Sequence, residues 1–184
     1  MYERVLLPVK LTMNKKTRKI TLSALFAALT VIALYIASIW PSGQIALVAF
    51  SSIFAAAAVV ESGVANGIYV YAVSAALGFL ILPNIAVPLL HTLFFGYYPV
   101  VKSLIERLRS AVLQWLLKLC VFNAALTVMW FFLREIVFDF GEYMPGAALM
   151  YLGGSVIFVL FDYGFTKGIW FYINRISNYM KKGN

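Results

Sequence analysis

Apolar residues fall along this chain in long blocks, not in the strict alternation of a half-buried strand or the single stripe of a surface helix. A helix needs about 20 mostly apolar residues to cross a bilayer. Six segments meet that demand: Ile20–Ile39, Gln44–Val60, Val64–Leu82, Ile85–Val101, Ala111–Leu133 and Gly146–Tyr172. Turn-forming runs separate the first four, namely Trp40-Pro41-Ser42-Gly43, Glu61-Ser62-Gly63 and Pro83-Asn84. The pattern predicts an all-α polytopic bundle of six transmembrane helices over residues 20–173. A basic segment, 1–19, precedes it and a basic tail, 174–184, follows.

The fourth segment carries Pro88 and Pro99. Proline removes a backbone donor and disturbs the turn before it. Pro88 falls near the helix start, where it is tolerated. Pro99 kinks the inner end or terminates the helix. A re-entrant fourth segment is the alternative, and it would leave five spans and invert the rest.

Charge placement favours six. With the N-terminus inside, the cytoplasmic face receives Lys10, Lys15, Lys16, Arg18 and Lys19, then Lys102, Arg107 and Arg109, then Arg175, Lys181 and Lys182. The outer face receives only Arg134, beside Glu135, Asp139 and Glu142. That asymmetry follows the positive-inside rule and puts both termini in the cytoplasm. Five spans would turn the basic tail outward. The run Lys102–Arg109 reads as a short amphipathic helix on the cytoplasmic surface, with Lys102 and Glu106 spaced to pair. Arg134–Pro145 is the one outer loop long enough to act as a lid.

Composition agrees with a membrane protein. The 184 residues are 63% hydrophobic and 12% charged, with a mean hydropathy of +0.89. A soluble domain carries about 25% charged residues. The formal charge of +8 reflects topology, because the basic residues lie between apolar runs and no nucleic-acid motif is present. The first apolar run is too long for the core of a cleaved signal peptide, about 7–15 residues. Met13 is an alternative start, since Val5 to Leu11 are suited only to lie along the membrane surface. One cysteine, Cys120, permits no intrachain disulfide, and His91 is the single histidine. The chain has no Walker A motif and no Gly-rich phosphate loop, so no ATP site and no cofactor site is expected.

Small residues cluster in the run Ala55–Ala58 and in Gly153-Gly154, and recur four apart at Ala24 and Ala28, Gly63 and Gly67, and Gly164 and Gly168. Such spacing lets helix backbones approach closely. Most of these fit packing within one bundle. The stretch Lys19-Ile-Thr-Leu-Ser-Ala24-Leu-Phe-Ala-Ala28 resembles the first helix of the substrate-binding S components of energy-coupling-factor transporters, in which an Ala-xxx-Ala motif follows a basic N-terminus. The plan of about six spans with no soluble domain is also similar. The resemblance implies a bacterial plasma-membrane subunit that captures a vitamin or similar micronutrient from outside. Ala24 and Ala28 would dock it onto a membrane-embedded coupling subunit, and two separate ATPase subunits would supply energy.

Polar groups at membrane depth are default candidates for function. Counted at about 1.5 Å per residue, Gln44, Asn84, Trp130 and Tyr151 lie near the outer surface. His91, Ser51, Ser52, Asn123 and Ser155 lie near mid-depth, and Lys118, Asp162, Asn66 and Glu61 toward the inside. Trp40, His91, Asn123, Trp130 and Tyr151 are the candidates for an outward pocket, with rings to stack on a flat ligand and a few polar groups to orient it. Each also fits a bland role, as an interfacial aromatic or an interhelical hydrogen bond. Lys118 and Asp162 sit on apolar segments at similar depth, so an ion pair between the fifth and sixth helices is expected.

Two other functions compete with a transporter subunit. A membrane scaffold would use the same small-residue faces and have no ligand pocket. A lipid-modifying enzyme would need Glu135, Asp139, Glu142 or Asp162 to converge on one groove, and no nucleophile–base set is recognisable.

Overall fold

The computed structural model describes residues 15–137 and 146–177. Every element in them is helical. They are α1 (Lys15–Ile39), α2 (Gln44–Ser62), α3 (Val64–Ile81), α4 (Ala86–Leu90), α5 (Tyr98–Ile105), α6 (Ala111–Val137) and α7 (Ala147–Tyr172). A 3-10 turn, Pro41–Gly43, leads into α2, and π-helical turns follow α4 and α7. Five helices, α1, α2, α3, α6 and α7, are long and apolar enough to cross a membrane. The segments 1–14 and 178–184, and Asp139 and Glu142 of the proposed lid, lie outside the described residues.

Two expected boundaries move. The first helix begins at Lys15 instead of Ile20. Lysine and arginine are good helix formers, and their stems can lie along an apolar surface while the charges reach water. The fifth long segment continues to Val137, which shortens the lid.

The fourth segment is not one helix. Asn84 accepts the backbone N–H of Ala86 on its side chain and starts α4. Pro88 sits in the first turn, where no donor is needed. A π-helical turn, His91–Phe95, then interrupts the segment, and the N–H of Gly96 closes it on the carbonyl of His91 at 2.7 Å. Pro99 falls in the first turn of the new helix, α5. The proline expected to kink a continuous helix instead opens a second one.

Helices α1, α2 and α3 pack most closely. Ala55, Ala56, Ala57 and Ala58 are all buried, as are Ala27, Ala33 and Ala37 on α1. Gly63, with φ +96°, makes the whole α2–α3 connection, a conformation few other residues adopt. At Gly67 a Cβ would meet Val59 Cγ2 at 2.3 Å and Val100 Cγ2 at 3.1 Å, so α3 lies tight against α2 and α5. A second core gathers around Phe94, with Tyr98, Phe122, Phe158 and Phe161.

The bundle has two distinct ends. At one, Tyr172 reaches Glu61, and Asn66 faces Lys16 and Lys19 across a groove. At the other, the Asn84 N–H bonds Ser38 Oγ. The outer faces are apolar: Leu80, Leu152, Ile157 and Leu160 are all largely exposed. Faces of that size and kind match lipid contact. Cys120 is on this outer surface.

Candidate functional site

A cavity of about 710 Å³ lies between α2, the π-helical turn, α6 and α7. Ser42, Gly43 and Gln44 line it at the end opposite the basic residues, and Ser42 is exposed, so it opens there. Its wall is aromatic: Phe94, Phe95, Phe122, Phe158 and Phe161. Phe122 and Phe158 stack with ring centroids 4.7 Å apart. Ile45, Ile157 and Leu160 line the gap between α2 and α7 and are more than half exposed, so the cavity also opens sideways. Gln44 Nε2 is buried with no hydrogen-bond partner among the described residues. An unpaired buried donor is costly, which leaves this amide ready for a ligand acceptor.

Beyond the aromatic wall lies a charge cluster. Tyr98 packs against Phe94, Phe158 and Phe161, and its hydroxyl donates to Asp162 Oδ1. Lys102 Nζ lies 2.6 Å from Asp162 Oδ1 and 2.6 Å from Glu106 Oε1. Lys118 Nζ lies 3.0 Å from Asp162 Oδ2 and 2.7 Å from Glu106 Oε1. Two ammonium groups thus face two carboxylates in a formally neutral ring that joins α5, α6 and α7. Lys102 is 2% exposed, whereas the Glu106 side chain is 39% exposed. Unpaired, any of the buried charges would cost several kcal/mol. Arranged as here, each makes charge-assisted hydrogen bonds.

The contact between Lys118 and Asp162 is therefore present, but as one side of a four-membered ring. Lys102 departs from its expected place on the cytoplasmic surface: α5 carries it one turn past Pro99 and turns it into the bundle toward Asp162. The segment beyond it, Glu106–Ser110, is exposed. Lys102 pairs with Glu106, as their four-residue spacing predicts. The places of Tyr98 and Lys102 beside Asp162 have no such local signal.

The five pocket candidates do not come together in this cavity. Trp40 is 64% exposed on the surface. His91 is fully buried, with Nε2 2.9 Å from Ser74 Oγ on α3. Gly96 leaves room for that ring, since a Cβ there would lie 2.7 Å from His91 Nε2. Asn123 and Tyr151 belong to a polar seam between α6 and α7: Asn123 Nδ2 donates to the Leu119 carbonyl and reaches Ser155 Oγ at 3.5 Å, and Tyr151 Oη pairs with Thr127 Oγ1 at 2.7 Å. Trp130 is half-buried on α6, one turn beyond. The missed lining residues are phenylalanines on helices apolar all round, where no periodicity marks the inner face.

Ala24 and Ala28 are both exposed on α1, unlike the buried alanines of α2. The side chains of Arg134 and Glu135 lie outside what is described. No known protein family, curated protein or solved structure matches the chain.

Proposed function

We propose that the chain is the substrate-binding subunit of an energy-coupling-factor type uptake transporter in a bacterial plasma membrane. It crosses six times, the broken fourth segment included, with both termini in the cytoplasm. It takes a small, flat, largely apolar molecule, docks through Ala24 and Ala28 onto a membrane-embedded coupling subunit, and relies on two ATPase subunits for energy. The observation that carries this reading is the aromatic cavity with Gln44 at its mouth. Its size falls within the usual range for small-molecule sites, about 300–1,000 Å³. It opens at the end away from the basic residues, which is the outer end under the positive-inside rule. Its apolar lining narrows the ligand class from micronutrients in general to those with an aromatic or aliphatic body. Binding there presses on the rings around Tyr98, whose hydroxyl holds the charge cluster, so occupancy and helix packing are linked.

The second reading is a membrane scaffold without a ligand. It is favoured by the sideways opening of the cavity and by the dispersal of Trp40, His91, Asn123, Trp130 and Tyr151. Extraction of small molecules from the protein purified out of native membranes separates the two. The transporter reading expects one compound enriched in the natural protein and lost in Ala46→Trp and Ala49→Trp, which fill the cavity. Equal recovery from all three, each monodisperse in detergent, leaves the scaffold.

A further inference from the structure

A second groove, about 540 Å³, runs between α1 and α3 at the basic end. Its lining changes character along its length. Lys16, Lys19 and Asn66 lie at the end of the bundle, and Ser23 and Tyr69 follow. Farther in are Ala24, Ala27 and Val73. From Lys16 to Ala27 the helix rises about 16 Å at 1.5 Å per residue. That is close to half of a hydrocarbon core about 30 Å thick, the depth of one leaflet.

We infer that this groove holds an anionic phospholipid of the adjacent leaflet, its phosphate at Lys16 and Lys19 and one acyl chain along Ala24, Ala27 and Val73. Charge complementarity selects the headgroup: among the described residues two lysines line the groove and no carboxylate does. Asn66 and the Tyr69 hydroxyl add donors for phosphate oxygens. The smooth alanine face accepts a methylene chain that bulkier side chains would exclude. Basic pockets between spanning helices commonly select anionic lipids in this way. Ala28 lies outside the groove lining, and the inference stands whether or not the chain is a transporter subunit.

The test is native mass spectrometry of the full chain in detergent, titrated separately with phosphatidylglycerol and phosphatidylcholine. A lysine at an anionic lipid surface contributes about fivefold in affinity. Lys16→Gln combined with Lys19→Gln is expected to weaken phosphatidylglycerol binding roughly 30-fold and leave phosphatidylcholine unchanged. Arg107→Gln with Arg109→Gln removes the same charge from the exposed connector at the same end and is expected to have little effect. Ala24→Trp, or Val73→Phe should the first variant not stay monodisperse, keeps the lysines and blocks the chain path, and is expected to abolish the tight adduct. Equal binding of the two lipids, an equal loss in the arginine pair, or full binding in the groove-filling variant overturns the assignment.

Discussion

Asp162 accepts hydrogen bonds from Tyr98 and Lys102 on α5 and from Lys118 on α6. Its replacement by asparagine leaves two buried ammonium groups against Glu106 alone. Breaking a buried pair in this way costs about 3–5 kcal/mol. Asp162→Asn is therefore expected to lower the thermal unfolding midpoint in detergent sharply. Lys118→Met in the same background restores neutrality, since Lys102 and Glu106 still pair, and is expected to recover most of the loss. Equal loss in the single and double variants would show that neutrality is not what the ring supplies. Each pair in this ring was legible by itself: Lys102 with Glu106 from their spacing, and Lys118 with Asp162 as lone charges deep within apolar runs. Their meeting was not, because hydropathy ends the fourth segment at Val101 and so assigns Lys102 to water.

At the scale of elements, the broken fourth segment organises both cavity and cluster. Its π-helical turn brings Phe94 and Phe95 to the cavity, and its second helix brings Tyr98 and Lys102 to Asp162. Gly96 makes the turn possible. A Cβ there would lie 2.6 Å from Tyr71 Cδ2 and 2.8 Å from the His91 carbonyl oxygen. The second contact is backbone and cannot swing aside. Gly96→Ala is expected to cost about 1–3 kcal/mol. Gly164→Ala on α7 meets nothing within 4 Å and is expected to stabilise by about 0.5–1 kcal/mol through helix propensity. Both are read from unfolding midpoints in detergent, and similar shifts in the two variants would contradict the strained-turn account. The prolines announced a disturbance in this segment, but its place was not legible. A π-helical turn depends on the packing of His91 and Gly96 against α3, which no local pattern records.

For the whole molecule, five long apolar helices were readable from hydropathy because lipid as solvent demands length and composition, which a sequence states directly. Which residues face inward was not readable, because helices apolar all round carry no amphipathic signal. The aromatic cavity and the α1–α3 groove are therefore products of assembly. Orientation is tested by single-cysteine labelling in intact cells, in a Cys120→Ser background. Ser42→Cys is expected to react with an impermeant maleimide, and Arg109→Cys only after the membrane is opened. The reverse pattern would invert the topology and turn the cavity mouth to the cytoplasm.

The central claim is that this chain captures substrate for a separate coupling machine. The most direct measurement is affinity purification of the tagged chain from its native host, with identification of the proteins that accompany it. The account predicts a membrane-embedded coupling subunit with paired ATPases, retained by the natural chain and lost in Ala24→Trp. Well-folded protein recovered from mild detergent with no such partners would contradict it, and would reduce the exposed Ala24 and Ala28 to a face of the bundle that meets only lipid.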